Sequence, residues 1–274
     1  MQNGPKPVGV LRKTFQILSC FRSRPEGLAL ADISHVTGIN KSTAYRLLMQ
    51  LETEGLLQRE NGRYRIGQGL FQLGILAPQP LALLKAAYPV MAELAREIGE
   101  TVNLAIADRV EILVLHAVES PHEFRMAAKV GSRRPFYVTA LGKAIASFLA
   151  DDKQEALLQS LVIPLERPTP NSVQDLISLK EELASVRARG YAIDNEEAVR
   201  GVGAVGAPVF KGSGEVTAAI SVSGPTSRIL PQQLQAIAVH VIRAADSVTT
   251  ALGGDPDASR QLVRGQTTRI LGKT

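Results

Sequence analysis

The sequence predicts an α+β protein, with a small helical head closed by a β-hairpin and a larger body built on a largely antiparallel sheet. Three observations carry that prediction. Apolar residues recur at helical spacing over the first 55 positions, Asn61-Gly62 stands between two short strand-like runs, and past residue 80 several β-rich runs are flanked by helical patterns. The length of 274 residues suits one large or two ordinary domains, each with its own core. No apolar run approaches the ~18 residues that a spanning helix needs. The N-terminus lacks an apolar h-region, so no signal peptide is expected. Cys20 stands alone, which rules out an internal disulfide and fits a reducing cytoplasm.

In the head, Leu11, Phe15, Leu18 and Phe21 are spaced as the buried stripe of a first helix over 11–21. Pro25 and Gly27 break the chain after it. A second helix fits Leu30–Thr37 with Leu30, Ile33 and Val36 inward, stopped by Gly38. Asn40 or Ser42 can cap a third helix, whose stripe is Tyr45, Leu47, Leu48 and Leu51 and which ends at Gly55. Leu56–Arg59 and Tyr64–Ile66 then flank Glu60-Asn61-Gly62-Arg63, the strongest short hairpin signal. That order of helix, helix, tight turn, helix and hairpin is a winged helix-turn-helix, here over residues 8–66. Residues 67–80 read as a linker helix from Gly67 to Leu76 followed by the boundary Pro78-Gln79-Pro80.

The body spans 81–252. Leu81–Ile98 is an amphipathic helix, and Thr101–Ala107 with Glu111–Val118 read as a hairpin of strands. Arg125–Val130 reads as a third strand. Ala140–Leu149 and Ser172–Arg189 read as helices, and Ala192–Asp194, Ala204–Phe210 and Val216–Val222 as strands. Pro231–Leu252 reads as a long closing helix. Residues 253–274 lack periodicity and are expected to form a flexible tail.

The charge is lopsided. Residues 1–75 carry ten Lys or Arg against five Asp or Glu; totals of 31 and 26 leave 21 of each for the remainder. The net charge of +5 therefore belongs to the head, as expected of a polyanion-binding module on a neutral body. The third helix opens with Lys41, Ser42, Thr43, Tyr45 and Arg46. Its hydroxyls and N-terminus suit phosphate oxygens, and Arg46 has the fork for a guanine edge or a phosphate. Arg59 and Arg63, with Arg65 beside them, put cations on the wing. These residues point to double-stranded DNA.

Ordered segments resemble one family. Leu28-Ala-Leu-Ala-Asp-Ile33, Lys41-Ser-Thr-Ala-Tyr-Arg-Leu-Leu48, Leu51-Glu-Thr-Glu-Gly-Leu-Leu57 and Tyr64-Arg-Ile-Gly67 look like the head of the IclR family of bacterial transcriptional regulators. Gly99-Glu-Thr-Val-Asn-Leu-Ala105, Ala140-Leu-Gly-Lys-Ala144, Arg189-Gly-Tyr-Ala-Ile-Asp-Asn-Glu-Glu197, Gly201-Val202, Ala207-Pro-Val209 and Ile220-Ser-Val-Ser-Gly-Pro225 follow in the family's order, so that the likeness covers about 8–252. It implies a GAF-like α/β effector-binding domain for the body and a pocket lined by Arg134, Ala140, Leu141, Asp194, Val202, Ala204, Ser221 and Ser223. The physics agrees with a small organic acid. A helix starting at Ala140 offers free N–H groups, Ser221 and Ser223 share a strand face, and Arg133 and Arg134 add positive charge. Ala204 departs from the family, which often has cysteine there. The resemblance also implies a homodimer or dimer of dimers on a pseudo-palindromic operator, with ligand binding felt through the linker helix.

Other chemistry finds little support. Gly201-Val-Gly-Ala-Val-Gly206 is a literal G-x-G-x-x-G, but it runs into a strand-like stretch rather than opening a helix, and no acidic residue follows about 20 positions on. Gly142-Lys143 lacks the P-loop glycine, with Tyr137 in its place, and Ala144 replaces the hydroxyl. The four histidines have no metal-ligand spacing. Asp194, Glu196 and Glu197 read as a turn rather than as catalytic carboxylates. The expectation is a cytoplasmic regulator, nucleoid-associated on DNA, with no cofactor, metal, membrane partner or catalytic residue. The alternatives are a ligand-sensing module acting through protein contacts, or an enzyme with an appended DNA-binding head.

Overall fold

Alternation and helical spacing turn into structure element by element in the computed structural model, which describes residues 9–271 apart from 22, 23, 25, 77, 127, 128 and 230. The chain divides into two units, Met1–Leu81 and Ala82–Thr274. In the first, α1 (Gly9–Cys20), α2 (Leu30–Thr37) and α3 (Lys41–Thr53) pack with a sheet of β1 (Leu28–Ala29), β2 (Leu57–Glu60) and β3 (Arg63–Ile66), followed by α4 (Gln68–Ile75). Asn40 caps α3, its Oδ1 accepting the Thr43 N–H at 2.8 Å. Between β2 and β3, Asn61 and Gly62 both take positive φ, 48° and 77°, the backbone of a two-residue hairpin turn whose twist matches the strands. The short β1, not anticipated, pairs Leu28 with Tyr64 and ties the wing to the start of α2.

Ile17, Phe21, Leu28, Ile33, Ala44, Leu48, Leu51, Leu57 and Tyr64 form the core of this unit. Three expectations are corrected there. Leu11 and Phe15 are largely exposed, Phe15 by 67%, because the small core reaches only the last turns of α1, through Ile17. Val36 is 59% exposed because α2 turns Ile33, and partly Leu30, to the core. Ala44 rather than Tyr45 holds the buried stripe of α3, which leaves the Tyr45 ring exposed.

The second unit is organised on a six-stranded antiparallel sheet in the order β6-β5-β4-β9-β8-β7. Its strands are β4 (Thr101–Asp108), β5 (Glu111–Val118), β6 (Arg133–Pro135), β7 (Ala192–Asn195), β8 (Val202–Phe210) and β9 (Val216–Pro225). One face carries Val102, Leu104, Val205, Ile220 and Val222 against α5 (Pro78–Ile98) and α9 (Pro231–Ala251). The other carries Ala105, Ile112, Val114, Ala204 and Ala219 against α6 (Ala140–Ser147) and α8 (Leu176–Arg189). The period of two explains the split: successive residues of β4 and β9 serve opposite faces. Pro208 sits in β8 beyond Gly206, the last residue paired with β7, so its missing N–H interrupts no ladder on that side.

The third strand is Arg133–Pro135; of the expected Arg125–Val130 strand, residues 127 and 128 lie outside the described residues and the others form none. In that earlier stretch Thr101 Oγ1 donates to the Met126 carbonyl, and Arg228 to that of Phe124 just before it, where a strand would need backbone partners. The predicted Ser172–Arg189 helix begins only at Leu176, because Asp175 caps it by accepting the Ser178 N–H at 2.8 Å. Two helices were not anticipated. α7 (Asp151–Gln159) buries only Leu158, and α10 (Pro256–Leu271) occupies the expected flexible tail. α10 docks Val263 on the edge-to-face pair Phe148 and Phe210, and Arg260 forms an ion pair with Asp246. No single helix among the described residues is long and apolar enough to cross a membrane.

Candidate functional site

In the first unit, the N-terminal turns of α3 present Lys41, Ser42, Tyr45 and Arg46 to solvent, with Thr43 half-buried. From Lys41 to Leu51 the helix has no acidic residue, so the charges on that stretch are the cations Lys41 and Arg46. On the wing the three arginines differ. Arg59 lies over the Tyr64 ring, 5.5 Å from its centroid. Arg63 donates to the Gly27 carbonyl at 3.0 Å, and Arg65 donates to the Glu26 carbonyl and pairs with Glu60. Arg65 therefore fastens the wing to the loop before β1, whereas among the described residues Lys41 and Arg46 enter no ion pair.

In the second unit, a cavity of about 370 Å3 opens between the sheet and the start of α6. All eight residues implied by the family resemblance line it: Arg134, Ala140, Leu141, Asp194, Val202, Ala204, Ser221 and Ser223. Register explains the convergence. Ser223 stands opposite Ala204, and Ala204 opposite Asp194; Ser221 stands opposite Asn103 on one side and Gly206 on the other. Sequence reasoning missed Asn103, Ile112, Val114, Lys129 and Thr139, which also line it. Asn103 lay inside a quoted motif, but nothing in one strand reveals its neighbours across the sheet.

Two glycines bring α6 to this place. A Cβ on Gly206 would stand 2.8 Å from the Ala140 carbonyl oxygen, and one on Gly142 would stand 2.3 Å from that of Phe136. Glycine at 206 lets the first turn of α6 lie directly on β8, and glycine at 142 lets that turn close on the backbone of Phe136. Gly203 and Gly206, from the literal G-x-G-x-x-G, are thus strand residues. Thr139 caps α6 by accepting the Gly142 N–H, and among the described residues the Ala140 and Leu141 N–H groups remain as the unpaired positive end of the helix.

The polar floor is unusual. Asn103, 5% exposed, donates from Nδ2 to Ser223 Oγ at 3.0 Å, while its Oδ1 meets no donor among the described residues. Asp194, equally buried, accepts the Glu197 and Ala198 N–H groups at 2.7 and 3.3 Å. Burial pushes its carboxyl up to about 7; Glu197 adds to the rise, and backbone N–H groups and Lys143 oppose it. Lys143, 1% exposed, donates to both Glu197 oxygens and holds the 195–201 turn that forms one wall. Lys129 and Arg134 are exposed at the rim. Arg133, expected to add charge there, instead pairs with Asp108 and does not line the cavity. In a wider groove of about 660 Å3 between α5 and α9, Glu97 forms an ion pair with Arg243 and a hydrogen bond with His240. Among the described residues no three His, Cys, Asp or Glu gather as metal ligands.

Comparison with known proteins gives concordant results. The description "Bacterial transcriptional regulator IclR C-terminal" matches residues 77–250, and "IclR helix-turn-helix domain" matches residues 10–61. The chain is 33% identical over 248 residues to the "Transcriptional repressor IclR" of Escherichia coli (strain K12), covering 89% of this chain and 90% of that protein. It is 31% identical over 251 residues to the "HTH-type transcriptional regulator KdgR" of the same strain, covering 91% and 94%. Among solved structures it resembles the Thermotoga maritima IclR, with a TM-score of 0.72, 28% identity and 89% and 98% coverage. It also shares the fold of an IclR homolog from Microbacterium hydrocarbonoxydans complexed with 4-hydroxybenzoate, with a TM-score of 0.77, 24% identity and 89% and 99% coverage.

Proposed function

The chain belongs to the IclR family of bacterial transcriptional regulators, and from that premise we propose that its operator binding is switched by a small carboxylate held in the cavity beneath α6. It is a regulator with a helix-turn-helix DNA-binding head and an effector-binding body. One observation supports the choice of ligand above the others. The free N–H groups at the start of α6 and the cations Lys129 and Arg134 face the same mostly apolar cavity, which suits an anion attached to a small hydrophobic skeleton.

In this reading Lys41, Ser42, Thr43, Tyr45 and Arg46 enter the major groove, and Arg59 and Arg63 follow the backbone or minor groove beside it. A homodimer or dimer of dimers meets a pseudo-palindromic operator in the cytoplasm, on the nucleoid. The effector acts by its different affinity for two states and is released unchanged, so the protein performs no catalysis. The solved relative with 4-hydroxybenzoate lends the idea of an organic acid plausibility by fold alone.

Fluorescence anisotropy with duplex DNA from upstream of the protein's own gene tests the reading. Affinity should fall steeply with salt and shift when a small carboxylate is added. A flat salt response would instead support a module acting through protein contacts. Turnover of carboxylic acids by the purified chain would overturn the regulator-only account.

A further inference from the structure

The outward face of α3 holds one apolar side chain that the fold does not use. Ala44, Leu48 and Leu51 are buried against the rest of the first unit. Successive residues turn about 100° around a helix, so the opposite side is formed by Ser42, Arg46, Met49 and Thr53. Met49 is the apolar member of that set. It is 39% exposed and joins neither the buried core of the unit nor the residues packed against it. A lone methionine on a surface needs no explanation of its own. This one stands one turn beyond Arg46 and two beyond Ser42, on the face laid in the major groove above, and its role rests on that reading.

Charge sets the ends of the face. Lys41 opens it, and the first acidic side chains are Glu52 and Glu54 at the C-terminal end of the helix. Phosphates are attracted to one end and repelled from the other, so the stretch that can approach a duplex runs from Lys41 to Gln50. Thr53, next on the face, turns its hydroxyl back to the Met49 carbonyl at 2.9 Å.

The chemistry of the side chain then names what it meets. A thioether has no donor and only a weak acceptor, so it cannot pair with the polar edges of the bases, and covering them would strip their water without return. The apolar group displayed at base level in the major groove is the C5-methyl of thymine. An unbranched, flexible side chain can lie over that methyl and exclude water from both.

We infer that Met49 is a specificity-determining residue, reading a thymine in each operator half-site through its C5-methyl group.

The test uses the full-length protein and duplexes that it selects from a random-sequence pool. Each thymine of a selected half-site is replaced in turn by deoxyuridine, which removes the methyl and keeps the base pair. Fluorescence anisotropy should find a position in each half-site where that loss weakens binding about threefold or more. Met49→Ala should bind the thymine and deoxyuridine duplexes alike, whereas Met49→Leu should keep most of the preference. Both variants should melt with the unaltered protein, because the side chain is exposed. Indifference to deoxyuridine at every position overturns the role of Met49. A preference that survives in Met49→Ala comes from duplex shape and overturns it too. In either case, weaker binding by Arg46→Ala leaves α3 in the groove. If Arg46→Ala and Met49→Ala both bind the selected duplexes as tightly as the unaltered protein, the placement of α3 falls, and this inference with it.

Discussion

The Nζ of Lys143 lies 2.6 and 2.9 Å from the two carboxylate oxygens of Glu197, joining the first turn of α6 to the turn between β7 and β8. Lys143 is almost wholly buried, and Glu182 is a more distant third partner at 3.5 Å. Removing one member strands the other charge where water cannot solvate it. Lys143→Met should therefore lower unfolding stability by about 3–5 kcal/mol, and the double variant Lys143→Met, Glu197→Leu should recover part of the loss. Chemical denaturation of the unaltered protein, Lys143→Met, Glu197→Leu and the double variant measures this. Additive losses would show that the two charges do not depend on each other.

Asp194 gives a pH signature. Its carboxyl, raised to about 7, keeps its proton over a range where the unfolded chain has lost it. The stabilisation from that proton is complete below the unfolded value of about 3.9 and is lost as pH rises to about 7. Asn can accept the same backbone N–H groups without titrating. Asp194→Asn should thus gain melting temperature relative to the unaltered protein as pH goes from 5 to 8. The rise in the Glu197 carboxyl, caused chiefly by burial, acts in both proteins and drops out of the comparison to first order. Parallel melting curves across that range would remove Asp194 as the titrating group.

The same proton bears on ligand binding. A neutral Asp194 beside an anion is a potential donor, whereas a charged one repels it. Carboxylate affinity should fall as pH rises through 7, and the fall should be blunted in Asp194→Asn. Titrations at pH 6 and pH 8 compare the slopes.

Arg46 is exposed and enters no ion pair among the described residues, so the fold does not depend on it. Arg46→Ala should weaken operator binding by about 1–3 kcal/mol at unchanged melting temperature. Arg65→Ala should behave in the opposite way, because its contacts to the Glu26 carbonyl and to Glu60 hold the wing in place. It should lower head stability more than it alters the salt slope. Anisotropy beside thermal melts separates the two; unchanged DNA affinity in Arg46→Ala would take it out of the interface.

Ser221 and Ser223 face the cavity from alternate positions of β9, between Ile220, Val222 and the opposite face. A leucine at either should abolish the response to an acid effector while leaving DNA affinity intact. Loss of both functions together would identify a folding defect instead.

Much of this architecture was legible because local signals and tertiary packing agree. The Leu30–Thr37 helix and the Asn61-Gly62 hairpin depend on nearest neighbours, and both are readable from short stretches. Leu11, Phe15 and Val36 misled because apolar spacing marks a helical face without saying how far the core extends beneath it. α10 escaped notice because its contacts, through Val263 and Arg260, are with residues far away in sequence. The eight cavity residues came from likeness to a family, supported by the Ser221 and Ser223 alternation. Asn103 was within reach as a lone polar residue between Val102 and Leu104, but its unpaired oxygen depends on Ser223, 120 positions away.

The alternation of β4 and β9 has an evolutionary consequence. Asn103, Ser221 and Ser223 line the cavity, while their immediate neighbours Val102, Leu104, Ile220 and Val222 are committed to the packing beneath α5 and α9. Substitutions that alter the ligand and substitutions that endanger the fold thus fall on interleaved but separate sets of codons. A descendant lineage can change its chemical signal one residue at a time while the other face of the same strands is inherited intact.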